Sequence, residues 1–125
     1  MMQLDLHNIL SLLTATIMAD KHVYASEIDV FLKSTNKSKL IRHLDPKISE
    51  AKLLTWYELN KDGIAQKLVT PHFKDWLYDI LEKLSDVSQK QTILELMRGI
   101  AIADDDVHVS EKALITLAER YWGVN

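Results

Sequence analysis

Cysteine is absent from this chain of 125 residues, which removes disulfides, thiolate metal sites and cysteine nucleophiles together. Glycine occurs three times and proline twice, a punctuation too sparse for a turn-rich fold, and this points to a mainly helical chain. No apolar run approaches the roughly 18 residues of a membrane span, so no transmembrane segment is expected. The opening Met1-Met2-Gln3-Leu4-Asp5 has neither the basic region nor the cleavage site of a signal peptide. A cytoplasmic location is therefore the simplest expectation, and without a secretion signal the sequon Asn36-Lys37-Ser38 is coincidence. The net charge of −3 gives no general attraction to nucleic acid or anionic lipid. Nucleophile elbow, phosphate-binding glycine loop and dinucleotide fingerprint are all missing. Nothing places a substrate beside an acid–base pair, and the chain is not expected to be an enzyme.

What is present is a repeat. Ala19-Asp20-Lys21-His22-Val23-Tyr24-Ala25-Ser26-Glu27 returns 84 residues later as Ala103-Asp104-Asp105-Asp106-Val107-His108-Val109-Ser110-Glu111. Upstream, Ile9, Leu10 and Leu12 answer to Ile93, Leu94 and Leu96. Across positions 9–27 that makes eight identities in nineteen, where chance supplies roughly one or two. The unit is an apolar stretch, a short loop opening on an acid, then Ser-Glu ahead of further apolar residues. An apolar fraction of 47% with 26% charged residues is that of an ordinary globular domain. The length fits one domain over 1–125, with repeat units at about 4–33 and 88–121.

The apolar spacing is helical throughout, and no segment alternates convincingly with period two. Residues 4–19 carry a broad stripe. Ala15 and Ala19, with repeat partners Gly99 and Ala103, suggest a close approach of the two repeat helices that would bring both loops together. Ser26 is the expected cap of the next helix, Ser34–Ser38 a polar loop or break, and Lys39–Leu44 a short helix. Asp45-Pro46 and Thr70-Pro71 read as cap-plus-proline helix starts. Asp62-Gly63 reads as the end of the first of these, a short turn of helix over Ile64–Val69 follows, and 71–86 forms the second. Ser88 with Gln91 opens a helix ending near Asp104; Ser110 with Glu111 opens the last, which stops at Gly123. The expected class is all-α, a compact bundle of six or seven helices.

The loop pattern, Ala-Asp-x-x-Val-x-x-Ser-Glu in two copies, resembles the signature of the TerB-like family, which includes tellurite-resistance TerB and the related central region of DjlA-type co-chaperones. The likeness is direct over 9–32 and 93–118. It implies an all-helical fold with two pseudo-twofold-related helix–loop–helix units and an acidic loop site for divalent metal. It also implies a bacterial stress-response role exercised through protein partners rather than catalysis. The family Asp falls on Asp20 and Asp104, its buried Val on Val23 and Val107, and its Glu on Glu27 and Glu111. The family Gly is replaced by Lys21 and Asp105. Gly there serves a backbone with positive φ, which Asp tolerates better than Lys, and Lys21 adds a cation to the first loop.

Read from the residues alone, the second loop is the richer. Asp104, Asp105, Asp106, His108 and Glu111 crowd five candidate ligands into eight residues, and a cation relieves the repulsion of consecutive carboxylates. The spacing is not that of an EF-hand, since Val109 and Ile115 stand where its Gly and Glu belong. With Asp20, His22 and Glu27 added, the candidate set is Asp20, His22, Glu27, Asp104, Asp106, His108 and Glu111. That mixture of oxygen and imidazole suits Zn²⁺ or Mn²⁺ as well as Ca²⁺. A metal-free reading stands beside it: a solvated acidic turn, aspartates fixing loop amides, and glutamates favoured by helix N-termini.

Other features have plainer readings. His7, His43 and His72 lack the i, i+4 spacing of a helical zinc site and read as surface or half-buried residues. Trp56, Tyr57, Trp76, Tyr78 and Trp122 read as core, or else as a partner-binding surface. Lys33, Lys37, Lys39, Arg42 and Lys47 form a basic stretch, by default a solvated face.

Overall fold

The computed structural model describes residues 4–19, 23, 25–84, 90–103 and 109–123. It contains seven helices: α1 (Leu4–Met18), α2 (Ala25–Lys37), α3 (Lys39–Leu44), α4 (Glu50–Leu68), α5 (Phe73–Lys83), α6 (Lys90–Ala101) and α7 (Val109–Trp122). No strand occurs among the described residues, in keeping with the all-α expectation.

Helix α1 is the axis of the bundle and touches α2, α3, α4, α5, α6 and α7. Leu6, Ile9, Leu10, Leu12, Leu13, Ala15 and Ile17 are all sealed from solvent. The stripe read from its sequence is therefore too narrow a description, since α1 is enclosed on all sides. Such enclosure requires its polar residues to be satisfied internally. Ser11 Oγ donates to the His7 carbonyl at 2.8 Å, Thr14 Oγ1 to Leu10 at 2.8 Å, and Thr16 Oγ1 to Leu12 at 3.0 Å. Each hydroxyl folds back four residues along its own helix, so the buried helix presents an almost wholly apolar exterior. Burying one Leu or Ile side chain contributes about 1.5–3 kcal/mol, and α1 supplies six of these.

The outer helices are tied to one another by specific bonds. Arg98 and Glu119 join α6 to α7 at 2.8 Å, and Trp122 Nε1 donates to the Leu81 carbonyl at 3.0 Å, joining α7 to α5. Helix α7 ends at Gly123, whose φ of +68° is the left-handed conformation that glycine adopts freely.

Several helix boundaries differ from those read in the sequence. Helix α2 runs through the polar stretch to Lys37, with the break confined to Ser38. Arg42 closes its end by donating Nε to the Asn36 carbonyl at 2.7 Å and Nη2 to Asn36 Oδ1 at 3.0 Å. Asp45-Pro46 does not start a helix. The Asp45 carboxylate accepts from the Lys47 amide at 3.1 Å, an Asx turn, and α4 begins four residues later, where Ser49 Oγ accepts from the Lys52 amide at 3.1 Å. Thr70-Pro71 is likewise a turn, with Thr70 Oγ1 donating to Lys67 at 2.8 Å, and α5 starts at Phe73. Asp62-Gly63 does not end α4, which continues to Leu68. Packing of Leu53, Trp56, Tyr57 and Ile64 outweighs the cost of an interior glycine, about 1 kcal/mol. Helix α6 stops at Ala101, before Asp104, and Ser88 lies outside the described residues.

Ala15 is fully buried, but its partner Gly99 is not a point of close approach. A Cβ added to Gly99 meets nothing within 4 Å, and the residue opens on a surface groove beside Ser34, Ser38 and Leu96. Helices α1 and α6 do pack together, and α6 buries Ile93, Leu94, Met97, Ile100 and Ala101.

Candidate metal centre at the duplicated loops

Of the seven candidate ligands, Glu27 and Glu111 are described; Asp20, His22, Asp104, Asp106 and His108 lie outside the described residues, as do Lys21, Asp105 and Val107. Both helices that follow the loops start one residue earlier than expected, so Ser26 and Ser110 occupy the second helical position rather than the cap. Glu27 and Glu111 then fall on the third. At that position a carboxylate is favoured by the N–H-rich helix end and is within reach of the capping residue's backbone.

Both glutamates are 0% exposed. Each is in phase with the buried face of its helix: Glu27 with Phe31 and Thr35, and Glu111 with Leu114, Ile115 and Ala118. An ionised carboxylate removed from water requires hydrogen bonds, a counter-charge or a metal, because its desolvation costs several kcal/mol. A glutamate on the exposed face of the same first turn would carry no such requirement. Carboxylate oxygen is the donor that hard cations prefer, and these two residues supply it from positions closed to bulk water. By chemical type, the two described donors are ones a divalent ion accepts.

The flanks of the two loops come together. Ala19, which precedes Asp20, and Ser110, which precedes Glu111, line one cleft of about 340 Å³ with Leu68, Phe73 and Leu77. The end of α1 and the start of α7 therefore share a neighbourhood against the α4–α5 turn. Val23 faces a second cleft with Met18, Ala65 and Val69 and is 46% exposed, contrary to the burial implied for it by the family pattern. Tyr57 of α4 lies within electrostatic reach of Glu27. Burial pushes its hydroxyl pKa up, Lys61 opposes the rise, and the charges of Glu58, Glu27 and Asp62 add to it.

Among the described residues, Glu27 and Glu111 included, no group of three or more His, Cys, Asp or Glu side chains is placed to hold an ion. His43 and His72 are exposed and His7 is half-buried, as expected. Trp56 and Tyr57 belong to the core, with Trp76 and Trp122 packed against it, while Tyr78 is exposed. Sequence reading missed the sealing of Glu27 and Glu111. The signal for it was the phase of each glutamate with the apolar residue four positions on, Phe31 and Ile115.

The sequence matches a known family. The family model described as "Tellurite resistance protein TerB" matches residues 7–125. The chain belongs to the TerB family. Neither a curated protein nor a solved structure matches it. The match takes in α1 from His7 onward and all of α2–α7. No described helix is long and apolar enough to cross a membrane.

Proposed function

We propose that this TerB-family domain binds a divalent cation at its two acidic loops and acts through protein contacts in a stress response, without catalysis. The observation that carries the reading is the pair of repeat-related glutamates, Glu27 and Glu111, both closed to solvent at the feet of loops that open on Asp20 and Asp104. Two buried carboxyl groups at matched positions offer the oxygen donors that a divalent cation takes. The ligands are Glu27 and Glu111 with Asp20, Asp104 and Asp106, and His22 and His108 supply imidazole if the ion is Zn²⁺ or Mn²⁺ rather than Ca²⁺. Ligands drawn from both units would tie α1–α2 to α6–α7, and binding would stabilise the folded domain by mass action.

Thermal melting after EDTA treatment, then with Ca²⁺, Mn²⁺ and Zn²⁺ in turn, tests this. A cation-specific rise in the midpoint that disappears in Asp104→Asn supports it. An unchanged midpoint with every ion overturns it and leaves a metal-free interaction module, whose glutamates serve only the helix starts. Silence on generic phosphoester and peptide substrates, with the stabilising ion present, is the expected result for a domain without catalysis.

A further inference from the structure

A second feature lies between α5 and α7, on surface that the cation reading does not use. An open cleft of about 700 Å³ is lined by Lys74 and Tyr78 from α5 and by Lys112, Thr116, Arg120 and Tyr121 from α7. Lys112, Thr116 and Arg120 recur every four residues, so they form a stripe along one face of α7, a run of about 12 Å at the helical rise. All three cations are exposed, and none makes an ion pair with an acid among the described residues. The two tyrosines stack, with ring centroids 5.4 Å apart and 29° between planes. Tyr121 is held there by donating its hydroxyl to Glu82 at 2.6 Å.

Two acids of the neighbouring elements are paired with cations outside the cleft, while Glu82 stands at its rim on the Tyr121 hydroxyl. On α5, Asp79 pairs with Lys83 at 2.9 Å and Asp75 lies 3.7 Å from His72. On α7, Glu119 is taken by Arg98 of α6. The cleft is thus a locally cationic and aromatic surface on a chain whose net charge is −3.

From this we infer that the α5–α7 cleft is a docking surface for an acidic peptide segment of a partner protein. Cations spread along a 12 Å line do not converge on one compact anion, whereas an extended chain crosses that span in about four residues. Carboxylates on alternate residues then meet Lys112 and Arg120 with Lys74 opposite, and an apolar or aromatic side chain lies on the tyrosine pair. A nucleic acid strand is a poorer occupant. Its affinity grows with each phosphate neutralised, and three cations on a net-negative chain give little of it. The inference rests on the protein-contact half of the function proposed above and is independent of the cation.

The test is fluorescence anisotropy of the full chain with a labelled peptide alternating Glu and Ala around a central Phe. A Lys-for-Glu peptide and an oligothymidine of equal length serve as comparisons, and every titration is run with and without EDTA. Saturable binding of the acidic peptide is expected, weaker by about tenfold or more in K112E/R120E and unchanged in K37E/K39E. In the wild-type chain the peptide is expected to shift the backbone amide resonances of Tyr78 and Lys112–Tyr121. Equal affinity in the reversed and wild-type chains, tighter binding of oligothymidine, or no saturation by about 1 mM overturns the proposal. Because the melts with added ions do not involve this cleft, failure here leaves the cation reading standing, and the reverse holds.

Discussion

Glu27 and Glu111 answer each other across the duplication: each is the third residue of its helix, and neither exposes any surface to solvent. Their positions in the repeat were visible as letters, whereas the burial of both was not. That burial places two carboxyl groups inside the protein, at the feet of one loop that carries Asp20 and another that carries Asp104, Asp105 and Asp106.

Replacing one of them without changing its volume isolates the charge. In Glu111→Gln, the cation-dependent rise in melting midpoint is expected to be lost. Glu27→Gln should reduce the rise in the same way. Survival of the full rise in both variants would show that neither glutamate is a ligand.

Two glycines are expected to respond in opposite directions. Gly63 lies inside α4 with open space where a Cβ would go, so Gly63→Ala should stabilise the chain by about 0.5–1 kcal/mol. Gly123 holds φ at +68°, so Gly123→Ala should destabilise by about 1 kcal/mol. Urea unfolding of both variants checks the pair, and a stabilising Gly123→Ala would contradict the left-handed stop of α7.

Trp56 joins α4 to α1 by donating Nε1 to His7 Nδ1 at 3.2 Å, with the rings edge-on at 5.5 Å. His7→Ala leaves that indole N–H without its acceptor in a largely buried setting, for an expected loss of about 1–3 kcal/mol. His7→Gln, which retains an acceptor, should recover part of it. Denaturant midpoints of the two variants decide the matter.

The alkaline limb of stability should carry the signature of Tyr57. Its hydroxyl pKa is raised above the ordinary value of 10.0, chiefly by burial. The folded state therefore favours the neutral form. This contribution is fully present below the unfolded value and is lost as pH rises through the folded one. Tyr57→Phe should accordingly lose less stability than the parent above about pH 10, while the offset between the two stays constant at neutral pH. Parallel alkaline limbs would remove Tyr57 as the source.

Lys39–Leu44 shows what local signals decide well. Six residues of helical pattern placed α3 where it is found, and Gly123 marked the end of α7. Asp45-Pro46 shows where they fail. Aspartate before proline serves a helix cap and an Asx turn equally, and here Ser49 provides the cap. The family match likewise followed from the doubled loop motif, whereas the cleft that brings Ala19 beside Ser110 joins residues 91 positions apart and had no local signal.

Composition, helical periodicity and the doubled motif by themselves determined that this is an all-α member of the TerB family, because those features depend on spacing along one strand of sequence. Tertiary structure alone decided that α1 is enclosed on every side, that α4 runs through Gly63, and that Glu27 and Glu111 are shut away from water. The physical reason is that burial is a property of what surrounds a residue. Packing energies of several kcal/mol from other helices override local preferences of about 1 kcal/mol.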